Sequence, residues 1–314
     1  MVERAENAAL LLENVSKSFG DLRAVDSLSV RVPAGSIYGF LGPNGAGKTT
    51  TIRMIMDILR PDPTGGRIEV LGCAAPGEVK DRVGYMPEER GLYRKMTVRR
   101  TLRYFGAIKG VAAAGLAARA DEWLGRVGLA DWADRKVEEL SRGMHQKLQF
   151  AVTCISEPQL LILDEPFSGL DPVNLDMLKT EVLGMHQAGT TVLFSTHVMH
   201  EAENLCDFIL LINRGRCVID GTLEEIRSHW RSNTVAAELE GETGFLESLA
   251  GVEAVRRDGR RVEIDLAEGT DEQGLLRAML PRVRVRSFEI KAPSLHEIFV
   301  RLVGPGDEGD EENP

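Results

Sequence analysis

Apolar and polar side chains follow two different spacings along the first part of the chain. Between residues 10 and 33 they alternate, as in L-L-L-E-N-V and L-S-V-R-V, which predicts antiparallel strands around Phe19-Gly20-Asp21. Ile37 to Leu41 is a short apolar run that predicts a buried strand, whereas the apolar residues after Thr49 recur at helical spacing. A glycine-rich segment therefore joins a strand to a helix.

Strand and helix patterns continue to about residue 221. The segment from Thr97 to about Gly128 has helical spacing, and we predict a mostly helical subdomain over about residues 90–157. Four apolar residues from Leu160 precede Asp164 and Glu165, which is typical of a buried parallel strand in an α/β fold. Further strands are predicted at residues 67–71, 83–86, 190–195, 208–212 and 216–219.

The pattern changes to shorter units from about Val235 onward. Strands and helices there follow the order β-α-β-β-α-β and end in one more helix, which predicts a small split β-α-β, ferredoxin-like domain. The first of these helices is predicted at Phe245–Leu249, and a capping box at Ser294–Glu297 opens the last one. We predict domains at residues 8–222 and 232–304, and a disordered acidic tail at 305–314.

The glycine-rich segment and the residues after it read G-P-N-G-A-G-K-T, the phosphate-loop pattern G-x-x-x-x-G-K-[ST]. Its backbone N–H groups and the helix N-terminus would cradle phosphates, Lys48 would add a positive charge, and Thr49 would offer a hydroxyl to Mg²⁺. A glycine-rich turn with a chance lysine is the plainer alternative, but the flanking strand and helix favour a nucleotide site. The residues predicted to bind it are Gly42, Pro43, Asn44, Gly45, Ala46, Gly47, Lys48, Thr49 and Thr50.

Polar residues end two of the predicted central strands. Asp164 and Glu165 follow one strand, and His197 follows another, at the sheet edge where α/β ligands collect. Two acids could simply form a solvated turn, but in a phosphate-loop protein an acid at this position is the expected Mg²⁺ ligand. Ser141 is a plausible N-cap for the helix that precedes this strand.

Composition and charge narrow the classes of function. The chain has 314 residues and a formal net charge of −10, which argues against a general nucleic-acid-binding protein. No stretch approaches the about 18 apolar residues of a membrane-spanning helix, and the N-terminus lacks the layout of a signal peptide. The scattered cysteines are predicted to be reduced, small buried hydrophobic residues: Cys73, Cys154, Cys206 and Cys217.

From about residue 10 to 221 the chain resembles the ATP-hydrolysing subunit of an ABC (ATP-binding cassette) transporter. The resemblance depends on six motifs in the family's order: the phosphate loop, Y-M-P-E ending at Glu88, L-S-R-G-M from Leu140, L-L-I-L-D-E, S-G-L-D ending at Asp171, and His197. It implies a cassette with a mixed sheet, helices on both faces, an antiparallel β subdomain and a helical subdomain.

The resemblance also implies a role for each matching residue. Phe19 would stack on adenine, Glu165 would polarise the attacking water, and His197 would contact the γ-phosphate. Thr49, Glu88 and Asp164 would hold Mg²⁺. Ser141, Gly143 and Asp171 would act at the interface with a second ATP-binding subunit, so the implied assembly is a homodimer. The implied cofactors are ATP and Mg²⁺.

Two motifs depart from the commonest family pattern. The chain has L-S-R-G-M where L-S-G-G-Q is usual, and Glu88 where glutamine is usual, which leaves the contacts of Arg142 and Met144 open. Both departures resemble a bacterial branch that includes sodium- and drug-extruding cassettes. The C-terminal P-S-L-H-E-I-F segment resembles the accessory domain of that branch, for which docking, regulatory and purely structural roles stay open.

The implied function is an ATPase at the cytoplasmic face of the membrane that powers a separate multi-span permease, with export favoured over import. The main alternative is an ABC-type ATPase of DNA repair or translation, which would usually carry a coiled-coil insertion or a second cassette. An unrelated GTPase would need an N-K-x-D-like guanine reader, and none is present. The transported substrate is not encoded in this chain, because the permease determines it.

Overall fold

The computed structural model describes residues 8–63, 66–89, 91–230, 234–267 and 269–303. The chain divides into two compact units, of which the second is Glu224–Ile298 and the first contains the preceding residues together with those from Phe299 on. The predicted accessory domain, residues 232–304, overlaps the second unit. The predicted acidic tail, residues 305–314, lies outside the described residues.

The strands of the first unit lie close to the predicted positions. They are β1 Ala8–Phe19, β2 Leu22–Pro33, β3 Ile37–Leu41, β4 Arg67–Val70, β5 Val83–Met86, β6 Leu160–Asp164, β7 Thr191–Thr196, β8 Phe208–Asn213 and β9 Arg216–Thr222. Strands β2, β1 and β4 form an antiparallel sheet, as predicted for the start of the chain.

The other six strands form one mixed sheet in the order β5-β6-β7-β3-β8-β9. Its first five strands are parallel, and β9 returns antiparallel to β8 as a hairpin. Every residue of β3, β6 and β7 is buried, both the apolar residues and the polar residues at the ends of β6 and β7. Because β6, β7 and β3 are neighbours, the residues that follow these three strands meet at one edge of the sheet.

Helices connect these strands and cover the sheet. They are α1 Lys48–Ile55, α2 Val98–Ile108, α3 Ala113–Arg126, α4 Arg142–Cys154, α5 Pro172–Gln187 and α6 Met199–Leu205. Helices α2, α3 and α4 form the predicted helical region, where the rings of Trp123 and Phe150 meet edge to face with centroids 6.2 Å apart. Apolar residues of α1, the antiparallel sheet and the large sheet form one continuous core, including Leu12, Val25, Phe40, Ile52 and Ile162.

The second unit is built on a four-stranded antiparallel sheet. The chain enters this unit within α7 Leu223–Ser228, continues through β10 Thr234–Glu240, β11 Val252–Asp258, β12 Arg261–Leu266, α8 Glu272–Met279 and β13 Arg284–Ile290, and leaves it within α9 Leu295–Val303. The order β11-β12-β10-β13 means that each crossover skips one strand, which is the predicted split β-α-β arrangement. The capping box is confirmed, because Ser294 N–H donates to Glu297 Oε2 at 2.8 Å and Glu297 N–H to Ser294 Oγ at 3.2 Å.

Two predictions about local structure are wrong. The helix expected at Phe245–Leu249 is a shorter, 3-10 helix of one turn, Leu246–Ser248. Of the cysteines, Cys154 is buried, but Cys217 is exposed and Cys73 and Cys206 are partly buried. Cys217 lies on the edge strand β9, whose side chains mostly face outward. Burial raises the pKa of the Cys154 thiol well above its ordinary value.

Candidate active site

The phosphate loop lies between the end of β3 and the start of α1, as predicted. Gly47 caps the helix with φ at +105°, and a Cβ there would lie 2.5 Å from the backbone oxygen of Ala24. A Cβ on Gly42 would lie 2.2 Å from the backbone oxygen of Ile212. Only glycine fits at these two positions, and the loop can therefore pack closely against its neighbours.

Lys48 is the first residue of α1 and is 5% exposed. Its ammonium donates to the backbone oxygen of Gly42 at 2.6 Å and to that of Pro43 at 3.2 Å. It also lies 3.4 Å from Glu165 Oε1. The structure thus holds a buried positive charge at the base of the loop, next to the carboxylate that ends β6.

Asp164 is the last residue of β6 and is 1% exposed. Its Oδ1 accepts a hydrogen bond from Thr49 Oγ1 at 3.2 Å and one from Ser195 Oγ at 2.6 Å. Its Oδ2 is buried and has no hydrogen-bond partner among the described residues. A buried carboxylate oxygen without a partner is costly, so a divalent cation held by Asp164 and Thr49 fits this arrangement.

Glu165 has a backbone conformation that is rare for its residue type, with φ at +49°. Its N–H donates to Ser195 Oγ at 3.0 Å, and its Oε2 lies 3.0 Å from His197 Nδ1. The side chain is thus held between Lys48 and His197. Residues in such backbone regions cluster at functional sites, where the surrounding structure enforces them.

One open cleft of about 620 Å³ contains most of the predicted nucleotide residues. Phe19 stands at its mouth with 47% of its surface exposed, and Glu88, Glu165 and His197 face the phosphate loop. Three further lining residues, Leu22, Ala24 and Ser168, were not predicted. The lining residues are Phe19, Leu22, Ala24, Pro43, Asn44, Gly45, Ala46, Gly47, Lys48, Thr49, Thr50, Glu88, Glu165, Ser168 and His197.

Five predicted residues do not line this cleft. Gly42 and Asp164 are hydrogen-bonded to the lining residues Lys48 and Thr49, and the other three are Ser141, Gly143 and Asp171. Ser141 is exposed and caps α4, because its Oγ accepts from Met144 N–H at 3.3 Å. Asp171 is exposed and caps α5, where hydrogen bonds from Asn174 lower the pKa of its carboxyl. A Cβ on Gly143 would lie 3.5 Å from Asn174 Nδ2, so the N-termini of α4 and α5 are adjacent. These residues form a second polar surface of the same unit.

A smaller cavity of about 120 Å³ brings together two of the three positions that depart from the family pattern. Glu88 and Arg142 both line it, with Asp164, Glu165 and Ser168. The guanidinium of Arg142 packs on Gly169, where a Cβ would lie 2.9 Å from Nη2. The sequence alone did not determine the contacts of Arg142. In the structure, Arg142 lines the same cavity as Asp164 and Glu165 at the end of β6.

A third cavity, of about 310 Å³, is largely apolar. Tyr85, Leu92, Phe105 and Val152 are among its lining residues, and Gln149 forms part of its wall. Burial, reinforced by the negative charge of Asp164, raises the pKa of Tyr85 to about 12, so its hydroxyl stays protonated. We call this cavity the apolar groove.

Gln149 connects the apolar groove to the loop that carries Glu88. Its Nε2 donates to the backbone oxygen of Pro87 at 2.7 Å and to that of Glu89 at 3.2 Å. The side chain therefore holds both neighbours of Glu88 against α4. The sequence contains no signal for this contact, because a glutamine within a helix is usually a solvated residue.

Comparison with known proteins decides the family. The family model for ABC transporters matches residues 25–168, and that for the C-terminal domain of DrrA1-3-like ATP-binding proteins matches 221–303. The uncharacterized ABC transporter ATP-binding protein YhaQ of Bacillus subtilis is 39% identical over 94% of this chain and 98% of its own length. The chain belongs to the ATP-binding subunits of ABC transporters.

Further comparisons agree with this assignment. The Nod factor export ATP-binding protein I of Sinorhizobium fredii is 34% identical over 95% of this chain and 87% of its own. A solved ATP-binding subunit of an ABC transporter superposes with a TM-score of 0.66 and 30% identity, over 71% of this chain and 93% of that one. The predicted cassette fold and the ATPase activity coupled to transport are thereby confirmed.

ATP-binding subunits of this family work with membrane permease components in transporter complexes. Among the described residues of this subunit, no helix is both long enough and apolar enough to cross a bilayer. The alternative of a repair or translation ATPase is not favoured by its relatives.

Proposed function

We propose that this ABC subunit is a Mg²⁺-dependent ATPase that acts as a homodimer at the cytoplasmic face of the membrane and powers export through a separate permease. One observation carries the dimer. Lys48, Glu165 and His197 face the cleft, whereas Ser141 and Gly143 lie on another surface of the same unit. A second copy would bring its Ser141 surface to the open side of this cleft and complete the site.

Each residue in the cleft then has a role that matches its chemistry. Phe19 is an exposed aromatic ring and would stack on adenine. Lys48 and the loop amides would bind the phosphates, and His197 would contact the γ-phosphate. Glu165 would take up a proton from the attacking water, a general-base contribution of about 10²–10⁴ in rate.

Mg²⁺ is the metal that this donor set fits. Such ions are usually held by one or two carboxylates together with nucleotide phosphates, and Asp164 has a buried oxygen without a partner among the described residues. Thr49 and Asp164 would hold the ion, with Glu88 reaching it from the loop after β5. The ion would neutralise charge that develops on the phosphate oxygens.

The rate of ATP hydrolysis at different protein concentrations tests the dimer and the metal together. We expect the rate per subunit to rise with protein concentration and then level off, because only the dimer has complete sites. Removal of Mg²⁺ with EDTA should abolish hydrolysis, and added Mg²⁺ or Mn²⁺ should restore it. A rate per subunit that is constant from nanomolar to micromolar protein would contradict the dimer, and hydrolysis in EDTA would contradict the metal.

We propose the apolar groove as the surface that binds the permease. Next to Phe105, which lines the groove, Tyr104 packs edge to face at 5.3 Å between ring centroids and remains 38% exposed. Tyr93, 52% exposed, packs against the same two rings. An apolar groove with exposed aromatic rings suits a short amphipathic helix from a partner.

Tyr104→Glu tests this surface without disturbing a buried side chain. We expect the variant to be released from the membrane fraction of its own host, because loss of an aromatic anchor costs about 2 kcal/mol, roughly thirtyfold in affinity. Leu280→Glu is the matched control, since Leu280 is an exposed apolar residue, 58% accessible, in the other unit. Membrane association of Tyr104→Glu equal to that of the wild type would exclude the groove.

Export is proposed from the relatives alone. A relative that covers nearly the whole chain is named as an export ATP-binding protein. The direction can be measured in inverted membrane vesicles that contain the subunit and its permease. ATP-dependent uptake into those vesicles corresponds to export from the cell, and ATP-dependent release would contradict the proposal.

A further inference from the structure

We propose that Ser195 is a positioning residue for ATP hydrolysis, and that its single hydroxyl sets the orientation of both Asp164 and Glu165. The inference depends on the roles proposed above for those two acids. It adds a residue that none of the six sequence motifs contains, because Ser195 comes two residues before His197 and lies inside β7.

The hydroxyl of Ser195 lies between the two acids at the sheet edge. Ser195 is fully buried and is paired with Asp164 in the register between β6 and β7. Its Oγ lies 2.6 Å from Asp164 Oδ1, and the N–H of Glu165 donates to the same Oγ at 3.0 Å. One side-chain atom thus contacts both consecutive residues at the tip of β6.

Donor and acceptor chemistry fixes the direction of both bonds. The N–H of Glu165 can only donate, so the Ser195 oxygen accepts it. An ionised Asp164 can only accept, so the Ser195 proton points to Oδ1. Thr49 Oγ1 donates to the same Oδ1 at 3.2 Å, which leaves Oδ2 as the buried oxygen without a partner among the described residues.

The second bond supports the unusual backbone of Glu165. With φ at +49°, this residue lies in a region that side chains other than glycine rarely adopt. The bond from its N–H to Ser195 holds the backbone there, and the side chain consequently reaches Lys48 at 3.4 Å and His197 at 3.0 Å. Without the hydroxyl, Glu165 would lose this restraint and Asp164 would lose the shorter of its two bonds.

Ser195→Ala is the direct test. We expect its kcat for ATP hydrolysis to fall about 10- to 100-fold, the usual effect of losing a supporting contact around a metal site. The KM for ATP should change less than about threefold, because Lys48 and the loop still bind the phosphates. Mn²⁺ binding in the presence of a non-hydrolysable ATP analogue, followed by electron paramagnetic resonance, should weaken about tenfold.

Thr191→Val is the matched control. Thr191 lies on the same strand, is 2% exposed, and its hydroxyl accepts a hydrogen bond from Gly35 N–H at 2.8 Å. It does not line the nucleotide cleft. The control therefore removes a comparable buried hydroxyl, and we expect it to lower the free energy of unfolding without reducing kcat or Mn²⁺ affinity.

Two more variants keep the test decisive. Ser195→Thr retains a hydroxyl and should keep most of the activity. Ser195→Cys replaces the hydroxyl with a thiol, a weak hydrogen-bond donor, and should show the same loss of kcat. It serves as the test variant if Ser195→Ala does not fold. A folded Ser195→Ala or Ser195→Cys with wild-type kcat and Mn²⁺ affinity would overturn the inference, and so would an equal loss in Thr191→Val.

Glu165→Gln, measured in parallel, separates this inference from the proposed roles of the acids. If Glu165→Gln loses hydrolysis while Ser195→Ala keeps it, only the role of Ser195 is wrong. If Glu165→Gln hydrolyses ATP at the wild-type rate, the general-base assignment is wrong, and with it the basis for positioning by Ser195.

Discussion

Glu165→Gln is expected to lower kcat for ATP hydrolysis by about 10²–10⁴, the contribution of a general base, while ATP still binds. Glutamine has nearly the same shape, so it can stay between Lys48 and His197, but it cannot take up a proton from water. ATP-bound dimer should accumulate as a result. The measurements are steady-state hydrolysis, ATP affinity by calorimetry, and the dimer fraction by size exclusion with ATP present.

Glu89→Gln is the control for a simple loss of charge near the cleft. The Glu89 side chain is 87% exposed and its contact with Arg53 spans 3.6 Å, so the variant should behave as the wild type. If Glu165→Gln hydrolyses ATP as fast as Glu89→Gln, the general base is a different residue.

Lys48→Ala should affect an earlier step, the binding of ATP itself. Hydrogen bonds to charged groups contribute about 1.5–3 kcal/mol, so ATP affinity should fall at least about tenfold and hydrolysis should become undetectable. The change also removes the buried partner of Glu165. Isothermal titration with ATP in the presence of Mg²⁺ measures the effect.

Lys179→Ala is the matched control for Lys48→Ala. Lys179 is also largely buried, with 18% of its side chain exposed, and is paired with Glu201, but it does not line the cleft. We expect the control to change stability only. ATP affinity that falls equally in both variants would mean that Lys48 acts through general stability rather than through the phosphates.

Local sequence patterns were enough to predict the phosphate loop and most of the elements. The loop is encoded within one short segment, where glycines, a lysine and the flanking strand and helix all agree. The buried strands β6 and β7 were also predictable, since β6 is an apolar run up to Asp164 and β7 contains the apolar segment V-L-F. Nucleotide residues that lie on these segments, such as Lys48 and Glu165, therefore meet in one cleft as expected.

Contacts between distant segments were not predictable in the same way. The role of Ser195 depends on the register between β6 and β7, which pairs it with Asp164, and one sequence does not specify that register. The contact of Gln149 with the loop around Glu88 likewise joins residues 60 or more positions apart. The sequence does contain one signal for Ser195. It is a small polar residue near the end of a buried strand, and another buried strand ends in two acids.

The central claim is that each nucleotide site is shared between two subunits, and mixing two inactive variants tests it directly. Lys48→Ala disables a subunit's own phosphate loop, and Ser141→Arg blocks the surface offered to its partner. In a mixed dimer, the loop of the Ser141→Arg chain would face the intact Ser141 of the Lys48→Ala chain.

We predict that each variant alone hydrolyses almost no ATP and that an equimolar mixture recovers about a quarter of the wild-type rate, since about half the dimers are mixed and each has one complete site. A mixture that stays inactive would contradict the shared site, as would wild-type hydrolysis by Ser141→Arg alone.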